Sequence, residues 1–139
     1  MPHPRLENLV RIGQLKVESP APSEILGLVR SGLKRLDDAA RRKLSLESRF
    51  DLASNAAHAP ALAALRVHGY RASSRYIVFQ CLQHTVELPA EQWRVLDQAH
   101  HKRNLAEYEG GIDVDETLVT ALLRVSREVA QRVERIIAD

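Results

Sequence analysis

The chain has 139 residues, of which 45% are hydrophobic and 27% are charged. These proportions exclude a disordered chain and are typical of one globular domain that is long enough to bury a core. Aromatic residues make up only 4%, and the abundance of alanine and leucine favours packed helices over a sheet. The formal net charge of +2 favours neither a strongly basic nucleic-acid binder nor an acidic chain.

Cysteine content and the absence of special motifs restrict the class of protein further. Cys81 is the single cysteine, which excludes an intramolecular disulfide and a cysteine-rich zinc site. No apolar run approaches the roughly 18 residues that cross a bilayer, and residues 1–4 lack the layout of a secretion signal. No glycine-rich phosphate loop is present. We therefore expect a cytoplasmic protein with no membrane association, no cofactor and no metal.

The first part of the chain predicts two helices that are separated by a linker. Apolar residues recur at roughly helical spacing over residues 6–15. Pro20 and Pro22 mark a linker, and Ser23 is the expected N-cap of the second helix. The cationic run at residues 41–43 is expected to end that helix, where positive charge complements the helix dipole.

The middle of the chain predicts a long alanine-rich helix and a shorter fourth helix. The third helix is expected from Ser45 over residues 45–67, with Gly69 as its stop and with a bend or break at Pro60. Ser73 or Ser74 is expected to open the fourth helix, which extends towards residue 86.

The last part predicts two more helices. A turn at residues 87–89 places Pro89 at the first position of a fifth helix, which covers residues 90–108 and stops at the glycine pair 110–111. Asp113 and Glu116 form a capping-box pattern for a final helix with a long apolar stripe.

No segment has the alternation of a strand, so the predicted fold is all-α, an antiparallel four-to-five-helix bundle. Residues 1–22 are expected to form an N-terminal helix and linker that pack on the outside of the bundle. Residues 23–139 are expected to form the bundle itself.

The fifth helix has one face that changes from apolar to polar. At about 100° per residue, that face carries Trp93, Leu96, Ala99, His100, Arg103 and Glu107. A stripe directed at the core destabilises the fold when it turns polar, unless those groups are paired, exposed or used. Arg103 and Glu107 could form a helix-surface pair, and His100 could be a structural histidine between helices. The functional alternative is a polar pocket or a surface that faces a second subunit.

Residues 100–108, ahead of the glycine pair and a long final helix, resemble the signature of the HEPN family. The alanine-rich helix that ends in His68, Gly69 and Tyr70 fits the same layout, and the resemblance covers about residues 45–139. It implies a helical domain that pairs with a second copy. In ribonuclease members, the paired domains cut RNA without a metal through an arginine, its polar neighbour and a following histidine.

The motif of this chain departs from that pattern. Arg103 and Asn104 match the arginine and its neighbour, but Tyr108 stands where the histidine is expected, and none of residues 109–115 is histidine. A second match, Arg94 with His100 or His101, has the right spacing but carries valine at the polar position.

The departure matters because histidine suits proton transfer near neutral pH and arginine suits stabilisation of phosphate charge. Tyrosine, with a pKa near 10, is a poor base. His100 lies one turn before Arg103 and could supply the imidazole instead. The candidate catalytic residues are therefore Arg103, His100, Asn104 and Tyr108. The candidate binding residues are Glu107, His101, Arg71 and Arg75. His58, His68 and His84 are interpreted as structural or exposed.

The predicted function is a HEPN-like module with absent or weakened ribonuclease activity that binds nucleotide, RNA or a partner protein through this face. The resemblance implies a homodimer and a minimal nucleotidyltransferase as partner in a toxin–antitoxin pair. Two alternatives remain open. One is an active metal-independent endoribonuclease toxin that uses Arg103 with His100 or Tyr108, and the other is a purely structural dimerisation protein.

Overall fold

The computed structural model of the protein describes residues 3–110 and 114–138, apart from the side chains of residues 107–109. The described part is an all-α bundle with a very small sheet, which confirms the predicted fold class. The elements are α1 (Pro4–Arg11), β1 (Lys16–Val17), α2 (Pro22–Ala39), α3 (Leu46–Val67), β2 (Tyr70–Arg71), α4 (Arg75–Gln80), α5 (Leu82–Thr85), α6 (Ala90–Glu109) and α7 (Glu116–Ala138).

The N-terminal segment is attached to the bundle through its apolar residues and through the sheet. Leu6 of α1 and Leu15 after it are both buried in the core. β1 then pairs antiparallel with β2, so the expectation that the chain has no strand is wrong. β1 comes before α2 and β2 comes after α3, so the pairing joins two distant segments. Each strand has only two residues, which is too short to show an alternation of apolar residues in the sequence.

The second helix starts and ends earlier than the sequence predicts. α2 begins at Pro22 after an extended Ala21 that makes no side-chain cap, so Ser23 is not the N-cap. Proline suits the first turn because its missing N–H would have no partner there. The cationic run 41–43 lies in the loop beyond the end of the helix, so it does not form the last turn.

Helix α3 occupies the centre of the bundle. Its start is confirmed, since the Ser45 Oγ accepts a hydrogen bond of 3.1 Å from the Ser48 N–H. The helix is continuous through Pro60, so the break that was one of the two expected outcomes does not occur. A close approach accompanies this proline: an added Cβ at Gly32 of α2 would lie 2.7 Å from Pro60 Cδ. The small alanines of α3 are buried on the faces towards α2 and α7.

The fourth predicted helix is divided into two. Ser74 caps α4, as its Oγ accepts from the Ile77 N–H at 3.5 Å, but the helix ends at Gln80 and α5 begins at Leu82. Pro89 is the N-cap of α6, one position before the predicted one.

The last two helices lie in the parts of the chain where the sequence predicts them. α6 ends at Gly110, whose φ of 79° places it in the left-handed region that favours glycine. Asp113, the predicted cap of the final helix, lies outside the described residues. Asp115 accepts a hydrogen bond of 2.8 Å from the Leu118 N–H, and α7 buries its apolar stripe against α3 and α6. None of the described helices is long and apolar enough to cross a membrane.

Candidate functional site

The change from apolar to polar along α6 has a structural explanation. Leu96 and Ala99 are buried in the core, as the periodicity predicts. His100 and Arg103, which continue the same face, line a small cavity with residues of α3, α4 and α7. The polar end of the α6 face therefore meets neighbouring helices and does not simply face solvent.

Two arginines converge on one amide at this cavity. Arg75, the first residue of α4, donates from Nη2 to Oδ1 of Asn55 on α3 at 2.9 Å. Arg103 donates from Nη1 to the same oxygen at 3.5 Å. A guanidinium group has only donors, so the amide oxygen is the group that both cations can share. We call Arg75, Arg103 and Asn55 the arginine pair site.

The described side chains at the arginine pair site carry more positive than negative charge. The Arg103 Nη2 lies 3.4 Å from Oδ1 of Asp51, a side chain that is 53% exposed. Among the described side chains, no carboxylate lies within ion-pair distance of Arg75. Within the side chains that the structure describes, two guanidinium groups therefore have one solvated carboxylate as their ion-pair partner.

Burial and charge repulsion both act on Arg75. Burial, and then the nearby charge of Arg103, lower the pKa of Arg75 from 12.5 to about 10. Asp51 acts in the opposite direction, and its effect is smaller. The Arg75 Nε is buried and has no hydrogen-bond partner in the described part of the chain. An unpartnered buried donor on a cation is destabilising, so the arrangement favours an added acceptor.

Two histidines border the arginine pair site, and only His100 was predicted there. The rings of His58 and His100 both pack edge-on against Phe79, with centroid distances of 5.8 Å and 6.3 Å. Burial, and then the charge of Arg75, lower the pKa of both imidazoles, that of His58 to about 4. Both rings are therefore neutral at neutral pH.

His58 was interpreted from the sequence as structural or exposed, and Asn55 was not among the candidate residues, although a signal was present. Asp51, Asn55 and His58 follow one another at spacings of four and three residues. Those spacings place them on one face of α3. The central helix α3 is otherwise rich in alanine, so this polar face interrupts an apolar surface. The face of α6 that carries His100 and Arg103 shows the same kind of interruption.

His100 is engaged by its own helix. Asn104 Nδ2 donates to Nε2 of His100 at 3.3 Å. The lone pair of that ring nitrogen is therefore occupied, and the nitrogen accepts a proton only if Asn104 moves away.

The cavity is too small to enclose a substrate. Its volume is about 10 Å³, which is room for one water molecule. The lining residues are Ser54, Arg75, Phe79, Leu96, Ala99, His100, Arg103 and Leu122. A larger ligand would have to bind over the opening and contact the arginines from outside.

Two of the other predicted binding residues, Arg71 and His101, do not line the cavity. Arg71 lies in β2 and not at the start of a helix, and it pairs with Glu18 at 2.6 Å and Glu24 at 2.5 Å. Both carboxylates hold the Arg71 guanidinium in this structure, and the role of Arg71 as a binding residue stays a prediction. His101 is exposed on α6. The side chains of Glu107 and Tyr108 lie outside the described residues.

Within the described residues, no group of three or more histidine, cysteine, aspartate or glutamate side chains is arranged to hold a metal ion. Comparison with protein families, with curated proteins and with solved structures gave no match. The site is therefore interpreted from its own geometry and charge.

The pKa of His58 predicts a loss of stability in mild acid. The pKa is about 4 in the fold and 6.5 ordinarily, so the unfolded chain binds more protons between those values. The free energy of unfolding is at its full value above pH about 6.5 and decreases as the pH falls towards 4. Between about pH 7 and about pH 5, we expect His58 to contribute roughly 2 kcal/mol of this decrease.

Urea denaturation of the wild type and of His58→Gln at both pH values measures that contribution. His58→Gln should lose most of the decrease, whereas His101→Gln, which changes an exposed imidazole, should keep it. An equal decrease in the wild type and in His58→Gln would contradict the assignment of this pH dependence to His58.

Proposed function

We propose that the protein is a HEPN-like helical module with absent or weakened ribonuclease activity, and that it binds a phosphate group of a nucleotide or RNA. The observation that carries this proposal is the convergence of Arg75 and Arg103 on the single neutral oxygen of Asn55, at 2.9 Å and 3.5 Å. Following the HEPN resemblance, we further propose that the protein forms a homodimer across this face and pairs with a minimal nucleotidyltransferase.

A phosphate is the ligand that this arrangement suits best. Its oxygens accept charge-assisted hydrogen bonds from planar guanidinium groups. Its negative charge offsets the repulsion between Arg75 and Arg103, which, after burial, is the second cause of the lowered pKa of Arg75. The arginines come from α4 and α6, so the fold holds them in place before a ligand arrives.

The imidazoles near the site support the weakened ribonuclease activity. Metal-free cleavage of RNA needs one group to remove the 2′-hydroxyl proton and another to protonate the leaving oxygen. The Nε2 of His100 accepts a hydrogen bond from the Asn104 amide, so this nitrogen can take the 2′-hydroxyl proton only if Asn104 moves away. His58, with a pKa of about 4, carries almost no proton at neutral pH and cannot serve as the acid.

Arg103→Ala is expected to weaken binding of a fluorescently labelled RNA strand by about 10- to 150-fold, because a charge-assisted contact contributes about 1.5–3 kcal/mol. Fluorescence anisotropy at fixed salt measures the affinity. Arg94→Ala is the matched control, since Arg94 is exposed on α6 and lies about two and a half turns away on the opposite side of the helix. It should bind nearly as the wild type does.

Equal losses in Arg103→Ala and Arg94→Ala would indicate nonspecific charge attraction and contradict the proposed site. Incubation of the wild type with RNA in a chelator tests the cleavage part of the proposal. Intact RNA is expected, whereas degradation that Arg103→Ala abolishes would establish the ribonuclease alternative. The solution mass should correspond to a dimer, and a monomer would contradict the homodimer.

A further inference from the structure

A cluster of aromatic rings lies next to the arginine pair site. Tyr76 follows Arg75 in α4, and its ring centroid is 6.3 Å from the Trp93 ring and 6.3 Å from the His100 ring. His100 lines the same cavity as Arg75 and Arg103. In a chain with only 4% aromatic residues, this concentration of rings around two cations is unusual.

Tyr76 is held in place and yet remains accessible. The ring packs edge-on to Trp93 at 68° and lies tilted against His100 at 35°, while 39% of the residue is exposed. Trp93 and Phe79, which support Tyr76 and His100, pack into the hydrophobic core. A partly exposed ring that its neighbours fix loses little conformational freedom on binding.

We propose that Tyr76 provides a stacking surface for a base, and that the site therefore takes single-stranded RNA. The phosphate lies at Arg75 and Arg103, and the adjacent base stacks on Tyr76. Single-stranded RNA is commonly recognised through unstacked bases that lie on aromatic side chains. The bases of a duplex are already stacked on one another and cannot reach the ring.

The size of the cavity agrees with this arrangement. At about 10 Å³, it cannot enclose a base, so the base has to bind on the open surface that Tyr76 provides. This inference rests on the proposed function, because it takes the phosphate position from the arginine pair site.

The chain contains one tryptophan, and Trp93 packs against Tyr76, so intrinsic fluorescence reports on this surface directly. Titration with a short oligouridylate, a strand with little structure of its own, should change the emission of Trp93. Tyr76→Leu keeps apolar bulk but removes the ring, and it should lower the affinity roughly tenfold. Tyr76→Phe keeps the ring and should bind within about twofold of the wild type.

A strand of the same length without bases separates the two parts of the site. It should bind more weakly than oligouridylate and should be insensitive to Tyr76→Leu, although Arg103→Ala should still weaken it. Leu105→Ala, which alters an exposed apolar side chain on α6 rather than α4, is the control and should leave all affinities unchanged.

Wild-type affinity in Tyr76→Leu together with a loss in Arg103→Ala would overturn the stacking surface and leave the phosphate site intact. Wild-type affinity in both variants would contradict the proposed function as well. Equal affinity for oligouridylate and for a duplex of the same length would also overturn the preference for single strands.

Discussion

Replacement of Arg66 by methionine is expected to lower the free energy of unfolding by about 3 kcal/mol or more. Arg66 belongs to α3 and is only 1% exposed. Its guanidinium Nη2 donates to the carbonyl of Ser19 at 2.6 Å, and Nη1 donates to the carbonyls of Glu18 at 2.9 Å and Tyr70 at 3.3 Å. Methionine fills much of the same space but leaves these acceptors without their donor.

The loss should be large because Arg66 is buried and donates to the linker before α2, to α2 and to β2 at the same time. Its Nε also lies 2.7 Å from Oε1 of Glu24, and that contact is the first cause of the lowered pKa of Glu24. Arg66 thus contributes to holding both the linker before α2 and the strand β2, together with the hydrogen bond of 2.9 Å from the Glu18 N–H to the Gly69 carbonyl. Removing it should loosen the β1–β2 pair and the attachment of α1.

Arg71→Met is the matched control for Arg66→Met. Arg71 contacts the same two carboxylates, Glu18 and Glu24, but its side chain is 35% exposed. Partly exposed ion pairs contribute about 1 kcal/mol or less. Urea denaturation of the wild type and both variants measures the difference, and equal small losses would contradict the structural role assigned to Arg66.

Gly32→Ala is expected to destabilise the protein by about 1–3 kcal/mol, although alanine is the better helix former. A Cβ at Gly32 would lie 2.7 Å from Pro60 Cδ and 3.2 Å from the carbonyl oxygen of Ala56. Neither neighbour is the end of a flexible side chain, so α2 and α3 would have to move apart. The absence of a side chain at Gly32 therefore allows the close contact between these helices.

Gly27→Ala provides the opposite result within the same helix. No heavy atom of another part of the fold lies within 4 Å of a Cβ at Gly27, so the substitution should stabilise the protein by about 0.5–1 kcal/mol through helix propensity alone. Thermal or urea denaturation of both variants tests the pair. A stabilised Gly32→Ala would show that the two helices separate at little cost.

Part of the candidate site could be predicted from the sequence, and the rest could not. The polar end of the α6 face, with His100 and Arg103, follows from a helical period that stops being apolar. Arg75 and Arg71 were both candidate binding residues, because spacing alone does not tell which cation meets a carboxylate. In the fold, Glu18 and Glu24 pair with Arg71, whereas Arg75 meets Arg103 at Asn55.

Asn55 and His58 show why the remainder was missed. Both lie on α3, far along the chain from Arg103, and the polar face that they share with Asp51 does not show which helix lies against it. Their roles depend on which helices lie against that face of α3. The length and composition of the helices leave that choice open, since several packings bury the same apolar stripes.

The sequence by itself determined the all-α class, the long helices and several of their caps, because helical period, Ser45, Ser74 and Gly110 act within a few residues of where they stand. The tertiary structure decided the β1–β2 pairing, the burial of Arg66 and the meeting of Arg75 with Arg103 over Asn55. These features join residues that are distant in the chain, and their free energy depends on the packing that brings them together.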